Sequence, residues 1–307
     1  MKVLITGGAG FIGSHLAGGY LAAGHEVVVV DDLSSGHRRN LQEGATFHQV
    51  DIRSPELARV MAHERPDVVS HHAAQMDVRR SVADPAFDAD VNVIGLIRVL
   101  EASRSHGVRR VLFASSGGAG YGEQLEFPAT EDHPLEPISP YGVSKRAGEL
   151  YLGCFRAMYG IETVAMRYAN VYGPRQDPHG EAGVVAIFTR RMLSGGKPVI
   201  NGDGGQTRDY VFVGDLVRAN LMLAESSISG AFNFGTGIET DVVTLARRIA
   251  DAAGVAAAFE YGPAKPGEQR RSVISPARAA AVLGWRPEVD LKAGLARSVD
   301  WFRQHPA

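Results

Sequence analysis

The chain has 307 residues, 45% of them hydrophobic and 21% charged, the balance of a globular protein with enough length for a full core and a second lobe. Its 32 Lys and Arg against 34 Asp and Glu leave a net charge of −2, which excludes the basic field of a nucleic-acid-binding surface and the polybasic patch of a membrane-associated one. Cys154 is the single cysteine, so no internal disulfide forms, and no apolar run is long enough for a membrane span or a signal segment; the expected location is the cytoplasm.

In chain order, strands are expected at 2–6, 26–30, 46–50, 67–71, 110–116 and 162–168. Amphipathic helices are expected near 12–23, 55–64, 85–106 and 141–159. The strands read as continuous apolar runs, such as "EVVVV", which marks a parallel sheet covered on both faces. Alternation of the two element types implies an α/β fold built on a doubly wound parallel sheet with right-handed crossovers. Past residue 168 the regularity breaks into helices near 181–195, 214–226, 241–253 and 276–283, set among Gly- and Pro-rich loops, and this predicts a smaller second α/β lobe.

The first strand runs into "TGGAGFIGSH", which fits G-x-G-x-x-G as Gly8, Gly10 and Gly13, and G-x-x-G-x-x-G as Gly7, Gly10 and Gly13. Following a strand and opening a helix, such glycines let backbone N–H groups approach a pyrophosphate. Asp31, ending the second strand, is placed to accept from the adenine ribose hydroxyls. With Asp32 beside it, it would repel a 2′-phosphate, which favours NAD over NADP. Asp51, after the third strand, is a candidate adenine contact and equally a simple turn residue.

"SPYGVSKRAGE" places Tyr141 and Lys145 four apart at the start of a helix, hence on one face. A nearby ammonium, together with an oxidised nicotinamide, is expected to pull the phenol from about 10 toward neutral pH, where it can act as a base. Just before this segment lies "VLFASSGGAGYGEQ", a strand ending in two serines and then four glycines within positions 117–122. Such a run implies that something approaches the backbone closely. Ser115 and Ser116 are hydroxyls that either serve the site or tie off the strand end. His71 and His72 adjoin on a strand and face opposite sides; they read as structural, and no spacing of His, Cys or Asp resembles a metal site.

The glycine motif, Asp31, the Ser–Ser strand end and Tyr141-x-x-x-Lys145 together resemble the extended short-chain dehydrogenase/reductase superfamily. "HHAAQMDVRRSV", "RYANVYGPRQ", "RDYVFVGD" and "KPGE" narrow the resemblance to the UDP-glucose 4-epimerase family over essentially the whole chain. It implies an NAD-binding Rossmann domain at 1–168, with a segment near 208–235 returning to it, and a nucleotide-sugar domain at 169–307. It also implies cofactor contacts from Gly7, Gly10, Phe11, Ile12, Gly13, Asp31, Asp51, Ile52, Ala73, Ala74, Asn92, Tyr141 and Lys145.

Catalysis would fall to Tyr141, Lys145 and a hydroxyl, which counting from the "YG" places on Gly117, so that Ser116 takes the role and Ser115 is the fallback. The glycines would leave room for a pyranose lying on the nicotinamide. Asn170 and Arg208 would meet the UDP diphosphate, while Lys265 and Glu268 stand where relatives carry Arg and Asp. Ser272, four residues after Glu268, would cap the pocket beside the sugar's 2-substituent, where a small residue admits an N-acetyl group. Gly118 and Ala119 occupy the positions where sugar-nucleotide dehydratases carry Asp-Glu.

The resemblance implies C4 epimerisation of a UDP-hexose. Its rivals are a UDP-glucuronate 4-epimerase, a 4-keto reductase, or a non-catalytic NAD-sensing module on the same fold. Apolar rows at Val91, Ile94 and Val99, and at Leu150, Cys154 and Met158, run along two helices; by themselves they fit packing inside the subunit equally, and the resemblance implies that they form a four-helix homodimer interface.

Overall fold

A computed structural model of the protein describes residues 1–178, 183–264 and 269–306. The chain opens with β1 (Lys2–Thr6), α1 (Phe11–Ala22), β2 (Glu26–Asp31), β3 (Thr46–Gln49), α2 (Glu56–Glu64) and β4 (Val68–His71). Then come α3 (Val78–Ala83), α4 (Pro85–Ala89), a π-helical turn at Asp90–Ile94, and α5 (Gly95–Ser105). The single helix expected over 85–106 is thus two helices joined by a wide turn. β5 (Arg110–Ser116) leads directly into a short helix α6 (Gly117–Tyr121), and α7 (Pro140–Tyr159) precedes β6 (Glu162–Tyr168). The second half holds β7 (Asn170–Tyr172), α8 (Val184–Leu193), β8 (Val199–Asn201), β9 (Thr207–Phe212), α9 (Val213–Glu225) and β10 (Gly230–Phe234). It ends with β11 (Glu239–Asp241), α10 (Val242–Ala253), β12 (Glu260–Gly262), β13 (Arg271–Ser272), α11 (Ala277–Leu283) and α12 (Leu291–Gln304).

Seven parallel strands form the main sheet in the order β10-β6-β5-β4-β1-β2-β3. The strand order reverses between β1 and β4, and in open α/β sheets a crevice for ligand opens outside the strand ends at such a point. One face is covered by α1 and α9, with Leu16, Tyr20, Leu216, Leu223 and Trp285 in its core. The other is covered by α2, α5 and α7, through Leu57, Met61, Leu96, Val99, Leu100 and Leu152. Val99 is therefore fully buried inside the subunit and is not part of an outward row, a correction to the expected interface. Burying such a side chain contributes about 1.5–3 kcal/mol, which decides its direction.

β10, absent from the strands expected from sequence, pairs parallel with β6, and α9 packs on α1. A third core joins α8, α10 and α12 to β9 through Phe188, Leu245, Ile249, Leu295, Val299, Tyr210 and Phe212. α12 had no counterpart in the expected elements. Asp290 caps it by accepting from the Ala293 N–H, the cap that a terminal helix needs to begin.

Candidate active site

The cofactor cradle is built where β1 meets α1. A Cβ on Gly13 would collide with the Gly7 carbonyl, and Gly7 itself sits at φ 70 against the backbone of Ala73. Only glycine allows this approach of turn, helix and neighbouring loop. The N-cap of α1 is Gly10, which offers no side-chain cap, and the first turn carries no acid. The leading N–H groups at Phe11 and Ile12 are thus presented with the positive end of the helix dipole, a donor set that fits a pyrophosphate.

Asp31 is buried at the end of β2, accepting from the Ala9 N–H at 2.9 Å and the Leu33 N–H at 2.8 Å. Burial raises its pKa against these two bonds. Two bonds leave acceptor capacity on an ionised carboxylate for a pair of ribose hydroxyls. Asp51 instead has internal partners: it accepts from Arg53 through backbone and guanidinium, and these bonds hold its pKa below the usual range. Asp51 thus closes a local turn onto Arg53. Ile52 is buried in the core beneath α5. Ala73 and Ala74 follow β4, where the Ala73 N–H meets Thr6 Oγ1 at 3.2 Å.

Tyr141 and Lys145 open α7. This helix starts where it does because Ser139 Oγ accepts from the Gly142 N–H and Pro140 presets the first turn. Lys145 is buried and donates to the Ala114 carbonyl of β5 at 2.8 Å; its Nζ lies 5.6 Å from the Tyr141 ring centre and 4.9 Å from that of Phe113. Burial pulls its pKa down to about 8, opposed by Asp88. Burial pushes the Tyr141 phenol well above its ordinary value, and Asp88 adds to that. The expected lowering of the phenol is therefore not in place within the chain, where burial and Asp88 both raise its pKa; the other charge invoked, an oxidised nicotinamide, would have to provide it.

The two serines separate clearly. Ser115 is buried and donates to Glu149 Oε1 at 2.7 Å, inside the ion pair that Glu149 makes with Arg167 at 2.7 Å. Ser116 Oγ accepts from the Ala119 N–H at 3.1 Å as the N-cap of α6. The glycine stretch is thus a helical turn, not an open gap. A Cβ on Gly117 would meet Ile274 at 2.7 Å, and one on Gly122 would collide with the Glu136 carbonyl. These two glycines serve chain packing, which corrects the reading that all four make room for a sugar.

Asn170, Arg208 and Ser272, distant in sequence, meet on one small sheet. β7 and β13 both pair parallel with β9, in the registers Asn170↔Tyr210 and Ser272↔Arg208. Ser272 is buried, so it is not a solvated loop residue. Arg208 Nη1 donates to the Thr207 carbonyl at 2.7 Å. Lys265 and Glu268 lie outside the described residues. Both histidines are neutral structural groups, held near pKa 3 by burial: His71 bonds Thr6 Oγ1 at 2.7 Å and His72 bonds the Tyr168 hydroxyl at 3.0 Å. Among the described residues no cluster of metal ligands occurs.

Sequence reasoning missed Asp88. It is fully buried, accepts from Ser144 Oγ at 2.6 Å, and takes further bonds from Gln75 and Asn92 at 3.0 Å each. Its spacing of four from Asn92, on a segment otherwise read as a plain amphipathic helix, was the available signal.

A dinucleotide cradle at a switch point, with a tyrosine–lysine pair across the crevice, defines a nucleotide-cofactor enzyme of the short-chain dehydrogenase/reductase class. Residues 3–235 match the model of the NAD dependent epimerase/dehydratase family, and the chain belongs to that family. It is 48% identical, over 99% of both chains, to a UDP-glucose 4-epimerase of Mycolicibacterium smegmatis. Its structure resembles that of a UDP-glucose 4-epimerase with UDP-glucose from Thermotoga maritima (TM-score 0.97, 46% identity, 99% of each chain). It is similarly close to the Thermus thermophilus UDP-glucose 4-epimerase in complex with NAD (TM-score 0.95, 46% identity, 99% of this chain and 100% of that one).

Proposed function

We propose that the protein inverts C4 of a UDP-hexose, interconverting UDP-glucose and UDP-galactose, with resident NAD. The observation that carries this reading is the arrangement at the head of α7. Tyr141 and Lys145 stand one turn apart on α7, whose first turn at Gly142 packs against the Ala119 carbonyl of α6, and Gly118 and Ala119 leave that edge without an acid or base side chain. Dehydration would need such groups to move protons at the carbons flanking C4. Epimerisation needs only a base at O4.

NAD, which the glycine turn after β1 and Asp31 would hold, would supply reversible hydride transfer at C4. The Tyr141 oxygen accepts the O4 proton and later gives it back. Lys145, anchored on the Ala114 carbonyl, orients the nicotinamide ribose and stabilises the phenolate. Ser116 assists Tyr141 at O4; the engagement of Ser115 with Glu149 favours this choice between the two hydroxyls. Gly7, Gly10, Phe11, Ile12 and Gly13 hold the pyrophosphate, Asp31 the adenine ribose, and Asn170 with Arg208 the UDP diphosphate. Ser272 leaves room at C2, so UDP-GlcNAc is accepted alongside UDP-glucose.

The active species in this reading is a cytoplasmic homodimer. Ile94, Leu150, Cys154 and Met158 are exposed, with Leu150 at 59% and Met158 at 64%, and they give α7 an apolar outer row continuous with the π-turn. Residues 1–168 with the segment near 208–235 form the cofactor domain and the remainder of 169–307 the sugar-nucleotide domain. The test is incubation with a panel of UDP-sugars, with C4 epimers as the product sought and NAD assayed in the purified protein. A reductase would instead release its cofactor each turn.

A further inference from the structure

We propose that Asp88 is a positioning residue for the Tyr141–Lys145 pair: a buried carboxylate that holds the head of α7, through Ser144, against the cofactor edge of the sheet and sets the charge around the pair. The inference rests on the epimerase reading only for its activity readout.

Asp88 has no exposed surface, and its three bonding partners are neutral: Ser144 Oγ on one oxygen, Gln75 Nε2 and Asn92 Nδ2 on the other. Among the described residues no Lys or Arg pairs with it. A carboxylate buried with no cation in hydrogen-bond contact is costly, and an apolar or amide side chain would fill the same space with less desolvation. Its place in the fold gives the reason for keeping it. Tyr141, Ser144 and Lys145 fall at i, i+3 and i+4, so the hydroxyl that Asp88 receives lies on the face that carries the pair.

The same carboxylate reaches the cofactor side. Asn92 exchanges two 2.9 Å bonds with the Gln75 backbone, and Gln75 follows Ala73 and Ala74 in the loop after β4. Asn92 itself sits in the π-helical turn between α4 and α5, a wide turn of a kind that recurs at functional sites. Asp88 therefore joins three separate elements at one point.

Its charge acts on both members of the pair, favouring the Lys145 ammonium and disfavouring the Tyr141 phenolate. The remaining titratable groups facing Lys145 are His71 and His72 of β4, both neutral. Removing the Asp88 charge should thus move both ionisations toward acid, whereas loosening the packing alone would move neither.

The test compares Asp88→Asn, Asp88→Glu and Ser144→Ala in the full-length holoenzyme. Tyr141 ionisation is read as the tyrosinate absorbance that disappears in Tyr141→Phe, and the pH dependence of kcat on UDP-glucose is measured in parallel. In Asp88→Asn both profiles should shift acidward by at least about one pH unit, the scale of one charge acting across about 12 Å at an effective dielectric near 20. Asp88→Glu should keep the wild-type profile. Ser144→Ala should lower kcat about tenfold with KM and the profile unmoved. An unshifted profile in folded Asp88→Asn overturns the proposal, as does failure of both Asp88 variants to fold, which would make the residue a packing element alone. If the wild type turns over no UDP-sugar, the epimerase reading fails while the absorbance titration still decides the role of Asp88.

Discussion

Ser272 and Gly118 are neighbours: a Cβ built on Gly118 would lie 3.5 Å from the Ser272 hydroxyl oxygen, in ordinary contact. Strand β13 brings Ser272 to the glycine turn after β5 and pairs it with Arg208 of β9. A phenol ring at 272 would have to project into whatever space lies beyond a hydroxymethyl group, and packed interiors do not absorb that volume. Ser272→Tyr should lose activity on UDP-GlcNAc by about tenfold or more while retaining UDP-glucose turnover. Equal loss on both sugars, or no wild-type activity on UDP-GlcNAc, removes Ser272 as the determinant.

Tyr141→Phe deletes one oxygen from a half-buried ring and should leave fold and bound NAD unchanged. Turnover should fall by about 10²–10⁴-fold, the range for loss of a general acid–base. Turnover near that of the wild type would transfer the role to another group.

The exposed row on α7 predicts the assembly. Leu150→Glu with Met158→Glu places two charges on that row, where a symmetric contact repeats each one. The wild type should sediment at twice the subunit mass at micromolar concentration, and the double variant at the subunit mass. A wild-type monomer would end the dimer proposal.

Acid sensitivity follows from His71 and His72. Their folded pKa values lie near 3, against 6.5 for the free side chain. Between these values the unfolded chain binds protons that the folded protein refuses, so stability is lost as pH falls from about 6.5 toward 3 and not above that window. At pH 5 each histidine should cost about 2 kcal/mol relative to pH 7. Denaturant unfolding at the two pH values measures it, and His71→Gln or His72→Gln should narrow the difference. A difference unchanged in both variants would locate the acid lability elsewhere.

Much of this molecule was determined by sequence alone. Apolar runs such as "EVVVV", a glycine turn between strand and helix, an acid after the second strand, and a Tyr and Lys four apart are all local patterns, and local backbone chemistry is enough to read them. What only the tertiary structure decided involves contacts between distant segments. Val99 and Leu150 look alike in a helical row, yet one is sealed beneath the sheet and the other is exposed, because packing partners choose the face. Ser115 and Ser116 are indistinguishable until Glu149 and Arg167 claim the first. The glycines of 117–122 suggest, in sequence, space for a ligand, whereas Ile274 and Glu136 fill that space at two of them. Asp88 reads as an ordinary surface acid in a helix until the fold brings Ser144, Gln75 and Asn92 around it; desolvation then gives its charge an effect that no periodicity or spacing could announce.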